Sequence, residues 1–393
     1  MVHAWNLPRG ARGKRFFDAT LRPVAESAIR QIMTPPTAPY AEALPAAAIQ
    51  EWAKERGWKV RKDGFGNLIV RVPGKKRGQA AMAFVAHLDH PAMTLDAGAD
   101  DAGRVVASFF GGHPGERMMG CTVALYSACG TQKAKAVVVK VGEKSMKTGR
   151  LELVLELKGK RKPAVAAGWI GAWDLPLRLT KKHVKNVVCD NLASAACILA
   201  GLDLAARNKP EHPIEAWFTR CEENGFVGCL EGIRLGSFSK KVPAIVLECS
   251  PKLPHAQPGD GPCVRVGDRL SIYDPLTIDL LEGSAAFLKE KIEGFKWQRK
   301  LMDGGACEAT AFCRTGYRSA GLAMPLTNYH NVPDDRKKTT GVAHEQIDRG
   351  DFDHLVLWVA TLALGSKVKT PDDPAGVAAR LEKMRKARVG LGR

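Results

Sequence analysis

The chain has 393 residues, of which 45% are hydrophobic and 25% charged, a composition typical of a globular protein long enough for two domains. Lys and Arg number 59 against 41 Asp and Glu, which gives a formal net charge of +18. The basic residues form separate short clusters without interleaved aromatic side chains, so the charge favours a solvated basic surface over nucleic-acid binding as the main function.

Neither a membrane span nor a secretory signal is predicted. The longest apolar run, Leu355 to Leu364, is about half of the roughly 20 residues that a membrane helix needs. The first residues contain a basic stretch, but no apolar block or small-residue cleavage site follows it. Ten cysteines without a CxxC pair fit a reduced intracellular chain. We therefore expect a cytoplasmic protein with no membrane partner.

The first predicted elements are a helix, a hairpin and a buried strand. Apolar residues at helical spacing predict a helix from Leu44 to Arg56. Two strands, Trp58 to Arg61 and Leu68 to Val72, flank the turn Asp63-Gly64-Phe65-Gly66-Asn67 and predict a hairpin. The apolar run Ala80 to Ala86 predicts a strand buried on both faces of a mostly parallel sheet.

The buried strand is followed by the tripeptide His87-Leu88-Asp89, at the place where open α/β sheets bind ligands. Residues two apart on an extended chain project to the same side, so Asp89 can contact the His87 imidazole. A carboxylate that accepts from one ring nitrogen leaves the other nitrogen free for a metal. Taken alone, the tripeptide is more often an ordinary polar loop.

A change of pattern between residues 94 and 178 predicts a second domain. Short β-prone runs alternate there with Gly and Lys turns, and helical periodicity is absent. We expect residues 94–178 to be a small inserted all-β domain, and residues 1–93 and 179–393 to form one discontinuous α/β domain. The runs are Arg104 to Phe110, Thr122 to Ser127, Ala136 to Val141 and Leu151 to Leu157.

Helix and strand patterns alternate again after the insert, which predicts an α/β fold with a mostly parallel mixed sheet flanked by helices. Residues after 370 contain two prolines and a basic stretch and predict a tail. The predicted elements are helix Leu192 to Ala206, strands Ile214 to Thr219 and Ala244 to Glu248, and helices Leu276 to Ile292 and Phe352 to Leu364.

Two acidic segments adjoin predicted strands of this domain. Asp190 precedes the helix at Leu192, where it either caps the helix or bridges two cations with its two oxygens. Glu222 and Glu223 follow a strand and leave its end in different directions. One of them can therefore bind a metal while the other faces an attacking water. A solvated loop is an equal alternative for the glutamate pair.

Glu248 and His330 complete the set of polar residues at strand ends. Glu248 terminates an apolar run, and a buried carboxylate there needs a cation or the rim of a cleft. A single histidine such as His330 is more often a surface or core residue than a ligand. Together, however, these carboxylates and imidazoles suit a divalent metal such as zinc, cobalt or manganese.

The segments resemble, in their order along the chain, the cytosolic metallo-aminopeptidases of the glutamyl aminopeptidase and tetrahedral aminopeptidase family, which are related to the wider zinc exopeptidase and deacylase group. The turn at Asp63 to Asn67 is similar to the family's D-x-x-G-N turn. The H-x-D, D-N, E-E and late His segments follow, so that the resemblance runs from about Asp63 to His330. The predicted β-rich insert lies where this family inserts its second domain.

The resemblance implies a homo-oligomeric peptidase with two divalent metals per subunit, zinc being expected and cobalt or manganese being alternatives. A two-metal-activated water would attack the peptide bond, with Glu222 as general base and Asp89 orienting His87. A cis peptide bond would follow the bridging aspartate. The implied metal ligands are His87 and Glu248 at the first metal, Glu223 and His330 at the second, and Asp190 at both.

Two departures from the family pattern leave the substrate open. Glu248 stands where the aminopeptidases usually carry Asp, and Thr327-Asn328 stands where they carry Arg. One alternative is therefore a related amidohydrolase or carboxypeptidase that acts on N-acyl amino acids. A second alternative is a non-catalytic scaffold that holds an acidic partner on its basic surface.

Overall fold

A computed structural model describes residues 17–159, 163–335, 340–365 and 382–386, so that nearly all of the predicted tail lies outside the described residues. The helices are α1 (Arg22–Ile32), α2 (Ala43–Glu55), α3 (Cys189–Arg207), α4 (Val227–Arg234), α5 (Pro275–Lys291), α6 (Glu308–Arg314) and α7 (Arg349–Ala363). Short 3-10 turns occupy Gly115–Arg117, Glu222–Asn224 and Tyr329–Asn331.

The strands divide between one large sheet and one barrel. They are β1 (Lys59–Lys62), β2 (Leu68–Val72), β3 (Ala83–His87), β4 (Ala92–Leu95), β5 (Arg104–Phe110), β6 (Thr122–Tyr126), β7 (Gln132–Lys144), β8 (Leu151–Leu157), β9 (Ile170–Trp173), β10 (Arg178–Leu179), β11 (His183–Asn186), β12 (Ile214–Thr219), β13 (Ala244–Pro251), β14 (Cys263–Gly267), β15 (Gln298–Leu301), β16 (Ser319–Thr327) and β17 (Glu345–Asp348).

The large sheet is mixed, with a parallel centre. Within the described residues it has 11 strands in the order β1-β2-β12-β3-β13-β16-β17-β11-β10, and β14 and β15 branch from β16. The four strands β12, β3, β13 and β16 are parallel, whereas β2, β17 and β11 pair antiparallel at the flanks. The predicted α/β fold with a mixed sheet is confirmed, and the carboxyl ends of its central strands meet at one edge.

Helices α3 and α7 pack against each other beside this sheet. Helix α3 is 19 residues long and apolar enough to cross a membrane by length and composition, but 94% of its most apolar window is buried inside the protein. Gly201 lets the two helices approach closely, since a Cβ there would lie 2.6 Å from Val359 Cγ1. Helix α3 therefore forms part of the core.

A closed barrel separates β3 from β10 along the chain. Its strands follow the order β4-β5-β8-β7-β6-β9, and β5 and β8 have the bounds predicted from their alternating pattern. Leu153 and Leu155 point inward from β8 into a core of the barrel's own, while Glu152 and Glu156 are exposed. This alternation explains why the region lacks helical periodicity.

Candidate metal centre

The structure brings the seven predicted site residues to one edge of the large sheet, where the ends of β3, β11, β12, β13 and β16 converge. Three overlapping groups of donor atoms form there, and the donor atoms of each group lie within 4.8 Å of one another. The groups are His87, Asp190 and Glu248; Asp190, Glu223 and His330; and His87, Glu222 and Glu223. The first two groups are the two predicted ligand sets, and they share Asp190.

Asp190 presents one oxygen to each of two histidines. Its Oδ1 lies 3.5 Å from His87 Nε2, and its Oδ2 lies 3.6 Å from His330 Nε2. The Asp190-Asn191 peptide is cis, as the family resemblance implies. A carboxylate whose two oxygens face separate donor groups has the arrangement that a bridging ligand needs.

Glutamates complete each group. Glu248 Oε2 lies 3.7 Å from His87 Nε2, and Glu223 Oε1 lies 3.1 Å from His330 Nε2. Glu222 Oε2 is 3.8 Å from His87 Nε2, on the side of the pocket. These separations leave the nitrogen and oxygen atoms close enough to surround small cations.

Several of these buried atoms have no hydrogen-bond partner within the described chain. A buried polar atom without a partner is costly, and native proteins rarely retain one without a reason. Nitrogen and carboxylate oxygen donors in this arrangement fit divalent cations such as zinc. The unpartnered atoms are Asp190 Oδ1, Glu223 Oε1, Glu248 Oε1 and His330 Nε2.

The surroundings of two carboxylates, Glu222 and Asp190, shift their pKa values in opposite directions. Burial raises the pKa of Glu222 well above its usual range; His87 opposes this shift, and the charges of Glu248 and Glu223 add to it. Burial also acts to raise the pKa of Asp190, but its contacts with His330 and His87 outweigh burial and hold that pKa below the usual range. The crowded negative charge is what bound cations would relieve.

Burial acts to lower the pKa of both histidines, but the neighbouring carboxylates outweigh burial and raise it. Glu222 and Asp190 raise the pKa of His87 well above its usual value, and Glu223 and Asp190 do the same for His330. In the absence of cations, the site therefore favours protonated imidazoles. A cation that binds Nε2 must replace that proton.

The contacts of Asp89 differ from those expected. His87 Nδ1 lies 3.1 Å from the backbone oxygen of Asp89 and 3.5 Å from its carboxylate Oδ1. The carboxylate instead accepts the backbone N–H groups of Glu222 at 2.9 Å and Glu223 at 3.0 Å. Since a carbonyl only accepts, His87 Nδ1 carries a proton, and Nε2 faces the donor group.

His330 is oriented by the barrel. Its Nδ1 lies 2.9 Å from the backbone oxygen of Gly112, in the connection that follows β5, so Nε2 is left to face Glu223 and Asp190. A Cβ on Gly112 would lie 2.7 Å from that Nδ1. The sequence gives no signal for this contact because a backbone atom makes it.

Two further buried side chains that sequence reasoning missed contact the ligand segments. Glu345, the first residue of β17, is 0% exposed and accepts the backbone N–H groups of Asp190 and His330, both at 2.8 Å. His90 contacts the backbone oxygen of Asp190 through Nδ1 and lies 3.0 Å from Asn331 Oδ1 through Nε2. No motif marks either residue.

The predicted turn at Asp63 supports the glutamate loop. Asn67 accepts the N–H of Arg220 at 3.1 Å and donates to the backbone oxygen of Gly228 at 2.9 Å. Cys221 adopts a positive φ of 53°, and its N–H donates to Glu42 Oε1 at 3.0 Å. This backbone conformation is rare for a residue with a side chain, and the surrounding hydrogen bonds hold it in place.

A pocket opens beside the first donor group. Arg265 on β14 lines it, is 3% exposed and donates from Nη1 to Ser250 Oγ at 3.0 Å. Its Nε has no hydrogen-bond partner in the described chain. The remaining lining residues are His87, Asp190, Glu222, Glu248, Cys249, Ser250, Pro251, Leu253, Met302, Gly304, Gly305, Ala306 and Tyr329.

Asp268 fixes the far wall of this pocket. Its carboxylate accepts the N–H groups of Leu270 and Cys307 and the hydroxyls of Tyr273 and Thr310. The loop after β14 is thereby joined to the start of α6, next to the pocket-lining residues 304–306. These contacts involve none of the predicted metal ligands.

The three cysteines next to predicted ligands lie in the core. Cys189, Cys221 and Cys249 are at most 1% exposed, although Cys249 also lines the pocket. Burial raises the pKa of all three thiols above the usual value. They are therefore neutral at neutral pH, which disfavours a thiolate site.

The comparisons with known proteins agree with this geometry. The family model of the M42 glutamyl aminopeptidases matches residues 66–337. No curated protein matches the chain significantly.

Solved structures show the same fold at low sequence identity. The Pyrococcus horikoshii TET1 peptidase, which can assemble into a tetrahedron or a large octahedral shell, is 18% identical, with 87% of this chain and 99% of that chain covered and a TM-score of 0.68. An aminopeptidase from the archaeon Desulfurococcus kamchatkensis is 16% identical, with 90% and 98% covered and a TM-score of 0.71. An M18-family aminopeptidase from Thermotoga maritima is 13% identical, with 87% and 96% covered and a TM-score of 0.63.

Proposed function

The chain belongs to the M42 glutamyl aminopeptidase family, and from this premise we propose that it is a two-metal aminopeptidase with Glu222 as its general base. The observation that carries the proposal is the position of Asp190. Its two oxygens face two histidines that belong to separate donor groups. A single carboxylate in that position serves both sites of a dinuclear centre.

The residues that would hold the cations follow from the two groups. His87 and Glu248 would bind the first cation, Glu223 and His330 the second, and Asp190 both. Zinc suits this donor set, and cobalt or manganese are alternatives. Bound in pairs, such ions supply Lewis acidity and lower the pKa of water at the site.

Glu222 is placed for proton transfer. It lines the pocket, and its backbone N–H is fixed by Asp89 at 2.9 Å, so its carboxylate is held at the boundary between the donor groups and the pocket. There it would accept a proton from the attacking water and return it to the leaving amine. Asp89 acts as a positioning residue, because it holds the backbone of both glutamates.

The proposed substrate is a peptide whose first residue carries a carboxylate. The family name specifies glutamyl substrates, and Arg265 provides a buried cation with an unpartnered Nε at the pocket wall. A guanidinium in a desolvated pocket favours a carboxylate partner.

Arg265 also supports a second candidate, an amidohydrolase that acts on N-acyl amino acids, because such a substrate has a free carboxylate beside its scissile bond. Glu248 in place of the usual Asp also supports this second candidate.

Paired substrates discriminate the two functions. Hydrolysis of glutamyl reporter peptides that stops when their N-terminus is acetylated supports the aminopeptidase, whereas release of acetate from N-acetylglutamate without hydrolysis of the glutamyl peptides supports the deacylase.

The test of the metal centre is removal and return of the ions. Purified protein is dialysed against a chelator, its metal content is measured by elemental analysis, and hydrolysis of aminoacyl reporters is followed. We expect activity to disappear with the metal and to return with zinc, cobalt or manganese. Full activity in metal-free protein contradicts the proposal, and a protein that takes up no divalent ion supports the scaffold alternative.

A homo-oligomer is part of the proposal, because the P. horikoshii TET1 peptidase forms closed shells. Light scattering of the purified protein tests the homo-oligomer, and a monomeric mass at micromolar concentration contradicts it.

A cytoplasmic location remains a prediction, which ten free cysteines support.

A further inference from the structure

Glu345 lies between two segments that carry predicted ligands. Strand β17, which it begins, pairs with β11 on one side and with β16 on the other. The chain leaving β11 leads to Asp190, and the chain leaving β16 leads to His330. A side chain at the start of β17 can therefore reach both segments.

One carboxylate makes both contacts. Glu345 Oε2 accepts the N–H of Asp190, and Oε1 accepts the N–H of His330, each at 2.8 Å. The side chain is 0% exposed, so water does not compete for these bonds. The two backbone positions are thus tied to a single rigid group, which fixes the distance between them.

The His330 segment needs such support. Asn328, His330 and Asn331 all have left-handed backbone conformations, with φ of 57°, 54° and 62°. Residues with a side chain adopt this region rarely, and a run of them persists only where surrounding contacts determine it. The Glu345 contact is made at the middle of the run, on the residue whose imidazole faces Glu223.

We propose that Glu345 is a positioning residue of the second cation site, where it sets the separation of Asp190 and His330 without binding the ion itself. The inference rests on the proposed two-metal function and deepens it. Asp190 and His330, the two residues that Glu345 contacts, are both proposed ligands of the second cation site. Only Asp190 is also a proposed ligand of the first site. Loss of the contacts therefore weakens the second cation more than the first.

The chain offers a matched control in Asp351. This carboxylate is also buried, at 2% exposure, and accepts two backbone N–H groups, from Gly259 at 2.7 Å and Gly261 at 2.9 Å. Neither glycine is a predicted ligand. Asp351→Asn thus reproduces the loss of a buried two-bond contact without touching the donor groups.

The experiment is a calorimetric titration of metal-free protein with Co²⁺, which resolves the stepwise affinities independently of activity. We expect wild-type protein and Asp351→Asn to bind two ions with similar stepwise Kd values. Glu345→Gln keeps the shape of the side chain but replaces one accepting oxygen with an N–H₂ group. For this variant we expect one of the two steps to lose about 10- to 100-fold in affinity, as is usual when a group that orients a ligand is removed, with a smaller change in the other step.

Glu345→Asp is the second variant, because it keeps the charge but is too short to reach both N–H groups. It is expected to show the same selective loss. Wild-type affinities in either folded Glu345 variant, an equal loss at both steps, or the same loss in Asp351→Asn would overturn the assignment. Failure of both Glu345 variants to fold while Asp351→Asn folds would also overturn it in favour of a purely structural role. A wild-type protein that binds no Co²⁺ instead refutes the proposed function itself.

Discussion

Single carboxylates of the centre differ because their neighbours differ. Asp190 lies between two imidazoles, which hold its pKa below the usual range against the effect of burial. Burial and two neighbouring glutamates raise the pKa of Glu222, and His87 only partly offsets them. Groups whose surroundings move their pKa values apart suit different roles, and the roles proposed here are a metal ligand for Asp190 and a group that exchanges protons for Glu222.

Glu222→Gln tests the second of these roles. The amide keeps the size of the side chain but cannot accept a proton, so we expect kcat to fall by about 10²- to 10⁴-fold. Metal content should stay at the wild-type value, because Glu222 is not among the proposed ligands. Kinetics with a glutamyl reporter and elemental analysis measure both quantities. Glu231→Gln on α4, which is half-buried and outside the donor groups, is the control, and equal rates in the two variants would exclude Glu222 as the base.

Arg265→Met tests recognition of the substrate carboxylate. A hydrogen bond to a charged group contributes about 1.5–3 kcal/mol, so we expect kcat/KM for glutamyl substrates to fall about 10- to 100-fold while that for leucyl substrates changes little. The measurement is the ratio of the two kcat/KM values. Arg299→Met, on β15 and more than half exposed, should leave the ratio unchanged. A proportional loss on both substrates would show that Arg265 only supports the pocket wall.

The sequence predicts the candidate ligands because apolar runs lead to them, and the strands of a parallel sheet bring such residues to one edge. His87 and Glu248 are examples, since their strands β3 and β13 are neighbours in the sheet. Glu345 escapes prediction for a physical reason. It contacts backbone N–H groups of residues distant in sequence, and backbone groups leave no trace in the residue pattern.

At the level of elements, long segments with clear periodicity were predictable and short flanking strands were not. Strands β5, β8 and β12 have the predicted bounds because their apolar runs are bordered by turn residues. Strands β14, β15 and β17 were missed, since they have at most five residues and include polar or charged side chains. The part of the sheet beyond β16 therefore could not be predicted, although its parallel centre and the β1-β2 hairpin could.

The connection after β5 is the element through which the barrel reaches the metal centre. In Gly112→Ala the new methyl group would meet His330 Nδ1 at 2.7 Å, so the imidazole must move. We expect weaker binding of one of the two cations and reduced activity that excess Zn²⁺ partly restores. Gly64→Ala, whose Cβ would meet only Leu235 Cδ1 at 3.5 Å, is the control. Unchanged metal affinity in Gly112→Ala would mean that the barrel contact does not orient His330.

For the whole molecule, bound cations and folding stability should be linked. Ligands that bind only the native state stabilise it, by about 2.7 kcal/mol when their free concentration is 100 times Kd. Removal of the ions also leaves the crowded carboxylates without compensation. We expect chelated protein to unfold at a lower urea concentration than the zinc-loaded protein, with the difference growing as free zinc is raised. Superimposable unfolding curves would contradict this linkage.

Different carboxylates accept hydrogen bonds from the backbone beside the pocket and from the backbone of the proposed ligand segments. Asp268 joins the loop after β14 to the start of α6, whereas Asp89 and Glu345 hold the ligand segments. Mutations in the wall can therefore accumulate without disturbing the hydrolytic machinery. A chain built in this way can acquire new substrate preferences during evolution one loop at a time, while the reaction itself is inherited unchanged.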